Sequence, residues 1–387
     1  MKASRSDSKK SVSALEKPIS KKLIWIFSTL SSCVFFSTTI LYFKVWQPDL
    51  DEHILISEGM FENGKVPAHP LFYFFIQFFS FFSKNFRLEV FAGFLVFSAA
   101  QTMKIIASSD LVESISRRKM TWIGFLVVFC SCWVITPGIF EEHFIINQIV
   151  PNYFHNGTLH LSIPFSLWLL RKIYLFVELN EERRIRQIIQ LGIIAGLCKP
   201  SILFCLIPLF PAYVYLRKGI SGQLLGALQV SLLFSFLLIG QSLYLRLNPP
   251  NYISSFKIEF RPFFQFGSLW YHFKVLVYSL FLPLLLFIAG WPKSRNPFIL
   301  FLALCHFLGL IITFTLVDSI NGIKFNNMTW QSSVTLLLLL VSTGGLVFQS
   351  EKIGMKAKLS LLLLFMGYMA YTAQYFFHVI VYRSFFL

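Results

Sequence analysis

The chain is a succession of apolar runs, many of them about as long as a membrane is thick, separated by short loops that carry lysine and arginine. A helix needs ~20 apolar residues to cross the hydrocarbon core. Lipid admits only helices or closed barrels, because backbone polar groups there must be satisfied internally. This pattern excludes an ordinary soluble domain. Composition agrees, with 56% of the 387 residues hydrophobic and 13% charged, against about 25% charged in soluble domains. The expected fold is an all-α polytopic membrane protein, with residues 23–387 as one transmembrane domain.

Charge sets the register. The formal net charge is +16. In a soluble protein that would suggest nucleic acid, but here most of the excess sits in clusters between apolar runs, which is a topology signal. No nucleic-acid partner is expected. Residues 1–22 hold seven lysines and arginines among serines and read as a disordered cytoplasmic tail. The run from Leu23 to Val45 is too long for a signal-peptide core and lacks a small-residue cleavage site, so it reads as a retained first span. Two runs follow, His69 to Ser83 and Leu88 to Ala107. If both crossed, Arg117, Arg118 and Lys119 would lie outside and every later loop would invert. If the first is a re-entrant or surface helix, those residues lie inside, as do Arg171, Lys172, Arg183, Arg184, Arg217, Lys293, Lys352 and Lys358. Further spans are expected at Met120–Thr136, Asn152–Tyr174, Gln187–Cys198, Ser201–Leu216, Leu224–Leu245, Leu269–Ala289, Phe298–Val317, Trp330–Phe348 and Leu359–Phe377. That makes about eleven by the length criterion, with the N-terminus inside and the C-terminus outside. At Lys199-Pro200 one kinked span competes with two separate ones. The six cysteines lie in apolar stretches without metal-type spacing and read as small hydrophobes.

Four outer loops follow from this register: Pro48 to Pro70, Pro137 to Pro151, Asn248 to Gly267 and Asp318 to Thr329. The first is the most charged. Asp49 and Glu52 have the spacing of a capped helix start, and the helix is expected from about Leu50 to Phe61. On it Asp51, Glu58 and Glu62 share a face, and Ile54, Met60 and Phe61 can lie on the membrane. His53 and His69 flank this helix. The second loop and the run after it hold Glu141, Glu142, His143, His155, Asn156 and His160. Carboxylate and imidazole groups at these spacings can hold a divalent ion, with Asp51, Glu142 and His143 as candidate ligands. Lys199 either snorkels to the surface or points into the bundle at an anion. In the third loop Arg261 is the better phosphate candidate, since arginine grips phosphate through two parallel hydrogen bonds.

The Asp51-Glu52 pair just after the first span, the short helix and Gly64 that follow, and His69-Pro70 opening an apolar helix resemble the first outer loop of GT-C glycosyltransferases. The protein O-mannosyltransferase and lipid A aminoarabinose transferase branches are nearest in layout. Leu71 stands where that family usually has a second proline. The resemblance implies about eleven spans with juxtamembrane helices in the first outer loop. It also implies a sugar on a polyprenyl phosphate as donor, Asp51 and Glu52 as the catalytic pair, and a site on the outer face of a bacterial inner membrane or its equivalent. His69, Glu142, His143, His155, Asn156, Lys199 and Arg261 would then bind substrate, with membrane lipids as the other partner. The alternative is a transporter, flippase or polysaccharide polymerase. For it stand the broken helix at Lys199-Pro200 and Lys104 and Lys274 near span interiors. Against it stands the lack of an evident internal repeat.

Overall fold

The computed structural model describes residues 15–42, 47–62, 64, 66–67, 69–133, 157–247, 256–260, 270, 277, 280–289, 296–320, 323–325 and 329–382. Helix α1 runs over Lys21–Phe36, opened by Ser20, whose side chain accepts the Leu23 amide. It passes into a π-turn at Ser37–Tyr42. The cause is local: the hydroxyls of Ser37 and Thr38 bond back to the Val34 carbonyl at 3.0 and 2.7 Å, and that of Thr39 to Phe35 at 2.9 Å. Such back-bonding bends a helix, and π-turns are frequent at functional positions.

Two short helices follow, α2 at Gln47–Glu62 and α3 at Pro70–Phe79. The long α4, Phe86–Ser116, turns through Arg117, which adopts a left-handed backbone (φ 55°), into α5, Trp122–Ser131. Then come α6 (Gly157–Glu178), α7 (Ile185–Cys198), α8 (Ser201–Lys218) and α9 (Gly222–Leu247). The chain closes with α10 (Leu280–Ala289), α11 (Pro297–Thr315), α12 (Thr329–Gln349) and α13 (Met355–Tyr382). Among the described residues five segments are long and apolar enough to cross a membrane: Lys21–Leu41, Phe86–Ser116, Ser201–Lys218, Gly222–Tyr244 and Gln331–Gln349. Of the expected Leu269–Ala289 span, the structure describes α10 and two isolated helical residues, Trp270 and Val277.

Ionic contacts gather the helix termini at one end of the bundle. Lys21, at the start of α1, lies 3.0 Å from Asp110 near the end of α4, and Arg171 approaches Asp110 from α6 at 3.6 Å. Glu178 at the end of α6 accepts from Arg217 at the end of α8. Arg118 pairs with Glu351 after α12, and Lys358 of α13 with Glu16. The segment before α1 lies along this end: Ile19 N–H donates to Met120 O at 2.8 Å and Trp122 N–H to Lys17 O at 3.2 Å.

The same logic resolves Lys199-Pro200. Helix α7 lies parallel to α9, since Gly226 meets Ile185 and Gly192 meets Phe234. Helix α9 is joined to α8 through a three-residue turn at 219–221, so α8 runs the other way. Lys199-Pro200 is therefore the tip of a hairpin between two antiparallel helices, not a kink in one. A Cβ on Gly192 would lie 2.0 Å from Phe234 Cζ. This is the close helix approach that small residues permit in membranes. Helix α12 sits at the centre, buried along nearly its whole length.

The fold departs from all-α at one place. Strands β1 (Phe256–Phe260), β2 (Leu316–Ile320) and β3 (Ile323–Phe325) form an antiparallel sheet in the order β1-β2-β3, pairing Ile258 with Asp318 and Asp318 with Phe325. FKIEF alternates apolar and charged residues with period two, the pattern of a strand. β1 and β3 fall in the expected outer loops Asn248–Gly267 and Asp318–Thr329, and β2 straddles the end of the expected Phe298–Val317 span and the loop after it.

Candidate functional site

The site is built at the end of the bundle opposite the cluster around Asp110 and Glu178. Helix α2 opens at Gln47, with Pro48 in its first turn, where a missing amide costs nothing. Asp49 thus lies inside the helix and not at its cap, a correction to the expected start at Leu50. A second correction concerns its apolar face. Ile54 and Met60 are buried with Leu50 against the bundle and do not lie on the membrane, while Leu55 is the outward residue, 67% exposed. The docking is tight, since a Cβ on Gly93 of α4 would come within 2.8 Å of Leu50 Cδ1.

Helix α3 supports α2 from the other side. Ser57 Oγ donates to the Tyr73 carbonyl at 3.0 Å, and His53 Nδ1 is 3.2 Å from the Tyr73 hydroxyl. The His53 ring also stands edge-on to Phe72 at 5.1 Å. These contacts tie the His53 side chain to α3. At ten residues α3 is about 15 Å long, half a crossing. It runs antiparallel to the first turns of α4, with the Phe72 ring 5.7 Å from Phe97 and Gln77 bonded to Glu89. A Cβ on Gly157, where α6 begins, would lie 2.2 Å from Phe72 Cζ, so this glycine sets how closely α3 can seat.

The three carboxylates expected to share a face of α2 meet three different environments. Glu62 pairs with Lys84 in the turn before α4. Glu58 comes close enough to interact with the Glu89 carboxyl. Glu89 itself is fully buried and accepts from Gln77 Nε2 at 2.9 Å. Asp51 stands apart. Its Oδ1 is buried without a hydrogen-bond partner among the described residues. The burial raises its carboxyl above the ordinary value of 3.8, because desolvation disfavours the charged form.

Asp51 lines a cavity of about 290 Å³ with Ile40, Leu41, Leu50, Phe86, Arg87 and Val90. Among the described lining residues all are apolar except Asp51 and Arg87. Ile40 and Leu41 come from the π-turn, so the bend in the first long helix forms part of the wall. Depth follows from helix length. Asp110, held by Lys21 and Arg171, marks the charged end of α4. Twenty residues back along α4, about 30 Å at 1.5 Å per residue, is Val90 in the cavity wall. That is the thickness of a hydrocarbon core, so the cavity sits one membrane thickness from the charged end.

Of the other expected site residues, Glu52 lies on α2, with its backbone alone described. His69 immediately precedes α3 and makes no side-chain cap to it. Lys199 is 9% exposed at the hairpin tip and is not among the residues lining the Asp51 cavity. Glu142, His143, His155, Asn156 and Arg261 lie outside the described residues. His160, on α6, is buried with its ring 5.7 Å from Phe97.

Among the described residues no three His, Cys, Asp or Glu side chains gather closely enough to hold a metal ion. Asp51 is described, but Glu142 and His143, its expected co-ligands, are not. Sequence reasoning missed Arg87, Gln77 and Glu89. Two of them left a signal: Gln77 is the one amide in the aromatic run PLFYFFIQFF, and Glu89 is an acid in the first turn of a span. Comparison with family models, with curated proteins and with solved structures returns no match to this chain.

Proposed function

We propose that the chain is an integral-membrane glycosyltransferase of GT-C layout that moves a sugar from a polyprenyl-phosphate donor to an acceptor hydroxyl, with Asp51 as general base. The observation that carries this reading is the buried Asp51 oxygen, without a partner among the described residues, in an apolar cavity where Arg87 is the one cation among the described lining residues. Asp51 takes the acceptor proton as the hydroxyl oxygen attacks the anomeric carbon. The bond from that carbon to the phosphate oxygen breaks, and the polyprenyl phosphate leaves. Arg87 offsets the charge on the leaving phosphate, a role the sequence reading gave to Lys199 and Arg261. Leu41 and Phe86, apolar and exposed at the cavity wall, suit a donor that enters sideways from lipid. In this reading the charged end, with Lys21, Arg118, Arg171, Arg217 and Lys358, faces the cytoplasm by the positive-inside rule. The chain then crosses about eleven times, and Asp51 lies at the outer water–lipid boundary.

The test uses purified protein and a synthetic polyprenyl-phosphate sugar in detergent. Release of polyprenyl phosphate with transfer to an acceptor is expected, and Asp51→Asn should lower turnover at least ~100-fold. Full turnover in that variant removes Asp51 from the mechanism.

One observation favours the carrier alternative. Helices α11 and α12 meet along a polar seam in which His306 Nδ1 is 3.1 Å from Thr335 Oγ1 and Thr313 Oγ1 donates to Ser332 Oγ at 3.0 Å. Polar groups at membrane depth often mark transport paths. Movement of a labelled lipid-linked sugar across a bilayer with its glycosyl bond intact would select the carrier.

A further inference from the structure

Helix α3 has two contrasting faces. Phe72, Tyr73, Ile76 and Gln77 are buried against the bundle. The opposite side carries Phe74 and Phe78, one helical turn apart and stacked with ring centroids 6.1 Å from each other. The stripe continues past the helix end into Phe81 and Phe82, and Phe81 is 85% exposed.

Two features of this tip bear on what it meets. Phe81 and Phe82 both hold left-handed backbone, φ 56° and 54°, a conformation disfavoured for bulky residues. Two adjacent aromatic rings are thus presented outward at a cost in backbone energy. The tip is also followed at once by Lys84 and Arg87, both exposed.

The apolar surface does not stop at the turn. It runs on into Phe86, Leu88 and Phe91, exposed on the first turns of α4, and α4 is one of the helices long and apolar enough to cross a membrane. Glu89, in those same turns, lies about 30 Å along α4 from Asp110. The tip therefore sits at the depth where hydrocarbon gives way to headgroups. Amphipathic helices embed an apolar face at that depth while basic residues meet phosphate.

We propose that Phe74, Phe78, Phe81 and Phe82 form a lipid anchor that inserts the α3 tip into the phospholipid leaflet, with Lys84 and Arg87 at the level of the lipid phosphates. The anchor holds α3 from outside while Tyr73 and Gln77 hold α2 and α4 from inside. Bilayer contact thereby helps to position the helix that carries Asp51. The proposal stands whether the cavity serves transfer or transport.

The test places 4-trifluoromethylphenylalanine at position 81 by amber suppression in the full chain, reconstituted in phosphatidylcholine–phosphatidylglycerol nanodiscs. Fluorine spectra are recorded with a nitroxide at carbon 5 of the lipid acyl chain, and separately with a water-soluble gadolinium chelate. The same probe at Phe72, on the buried face of α3, and at Phe27 on the outer face of α1 supplies the buried and lipid-facing references. The anchor predicts severalfold broadening of the position-81 signal by the lipid nitroxide, as at position 27, and little by gadolinium. Broadening by gadolinium alone puts the tip in water, and broadening by neither puts it inside protein. Either result overturns the proposal.

Discussion

The exposed Glu62–Lys84 pair apart, the two ends of the bundle treat their acids in opposite ways. At the charged end Asp110 and Glu113 are met by Lys21, Glu178 by Arg217 and by the Tyr213 hydroxyl at 2.6 Å, and Glu351 by Arg118. At the other end Asp51 keeps an oxygen buried and unpartnered among the described residues. There too the buried Glu89 has an amide and another carboxyl beside it. A satisfied acid ties helices together. An unsatisfied one is costly to the fold and stays available to something that arrives later. The contrast separates the end whose acids tie helices together from the end where a buried acid is left over.

The largest expected effect comes from changing one acid at each end. Asp51→Asn should remove at least ~99% of transfer activity with a melting temperature equal to or above that of the unaltered chain, since the costly buried charge is gone, and Asp110→Asn should lower the melting temperature while sparing turnover. The reverse outcome would erase the distinction between the ends. Next comes Gly157→Val. Its side chain cannot fit beside Phe72, so overpacking should cost about 1–3 kcal/mol, read as a lower melting temperature together with lost activity as α3 is displaced. Glu178→Gln weakens two arginine contacts that are partly exposed, so about 1 kcal/mol is expected after discounting for solvent, with no change in turnover.

The pH profile sharpens the comparison further. Asp51 must be ionised to accept a proton, and its carboxyl lies above 3.8, so the acid limb of the rate profile should fall at a higher pH than for an ordinary aspartate. The stability sign is opposite. A raised carboxyl favours the protonated fold, so what it contributes is fullest below the unfolded value and is lost as pH rises through the folded one. Glu351 behaves the other way. Its hydrogen bond and attraction to Arg118 lower it from 4.5. What that pair contributes is present above the unfolded value and lost as pH falls through the folded one. Because the pair is on the surface, Glu351→Gln should barely move the melting temperature, and less still in high salt.

Much of the helical framework was readable from apolar length and flanking charge. The expected Ser201–Leu216 and Trp330–Phe348 spans coincide with α8 and α12 to within two residues at each end. Asp51 was readable as an acid just past a span. What the sequence hid was partnership. Asp51, Glu58 and Glu62 sit at equivalent positions on one helical face, and only the approach of α3 and α4 assigns them a cavity, a second carboxyl and a lysine. Arg87 read as one more loop charge because nothing local says that the π-turn and α4 enclose a space beside it. The sheet was missed because β1 and β2 lie more than fifty residues apart, and pairing across such a distance leaves no local mark beyond the alternation in FKIEF.

The strap before α1 has a consequence for the order of assembly. Ile19 donates to the Met120 carbonyl, the Lys17 carbonyl accepts from Trp122, and Glu16 accepts from Lys358. During synthesis Glu16 is made 342 residues ahead of Lys358. The strap can close fully only after α13 has been made and packed. It acts as a latch between the segment before α1 and α13, and a chain cut short before Lys358 leaves this contact unmade.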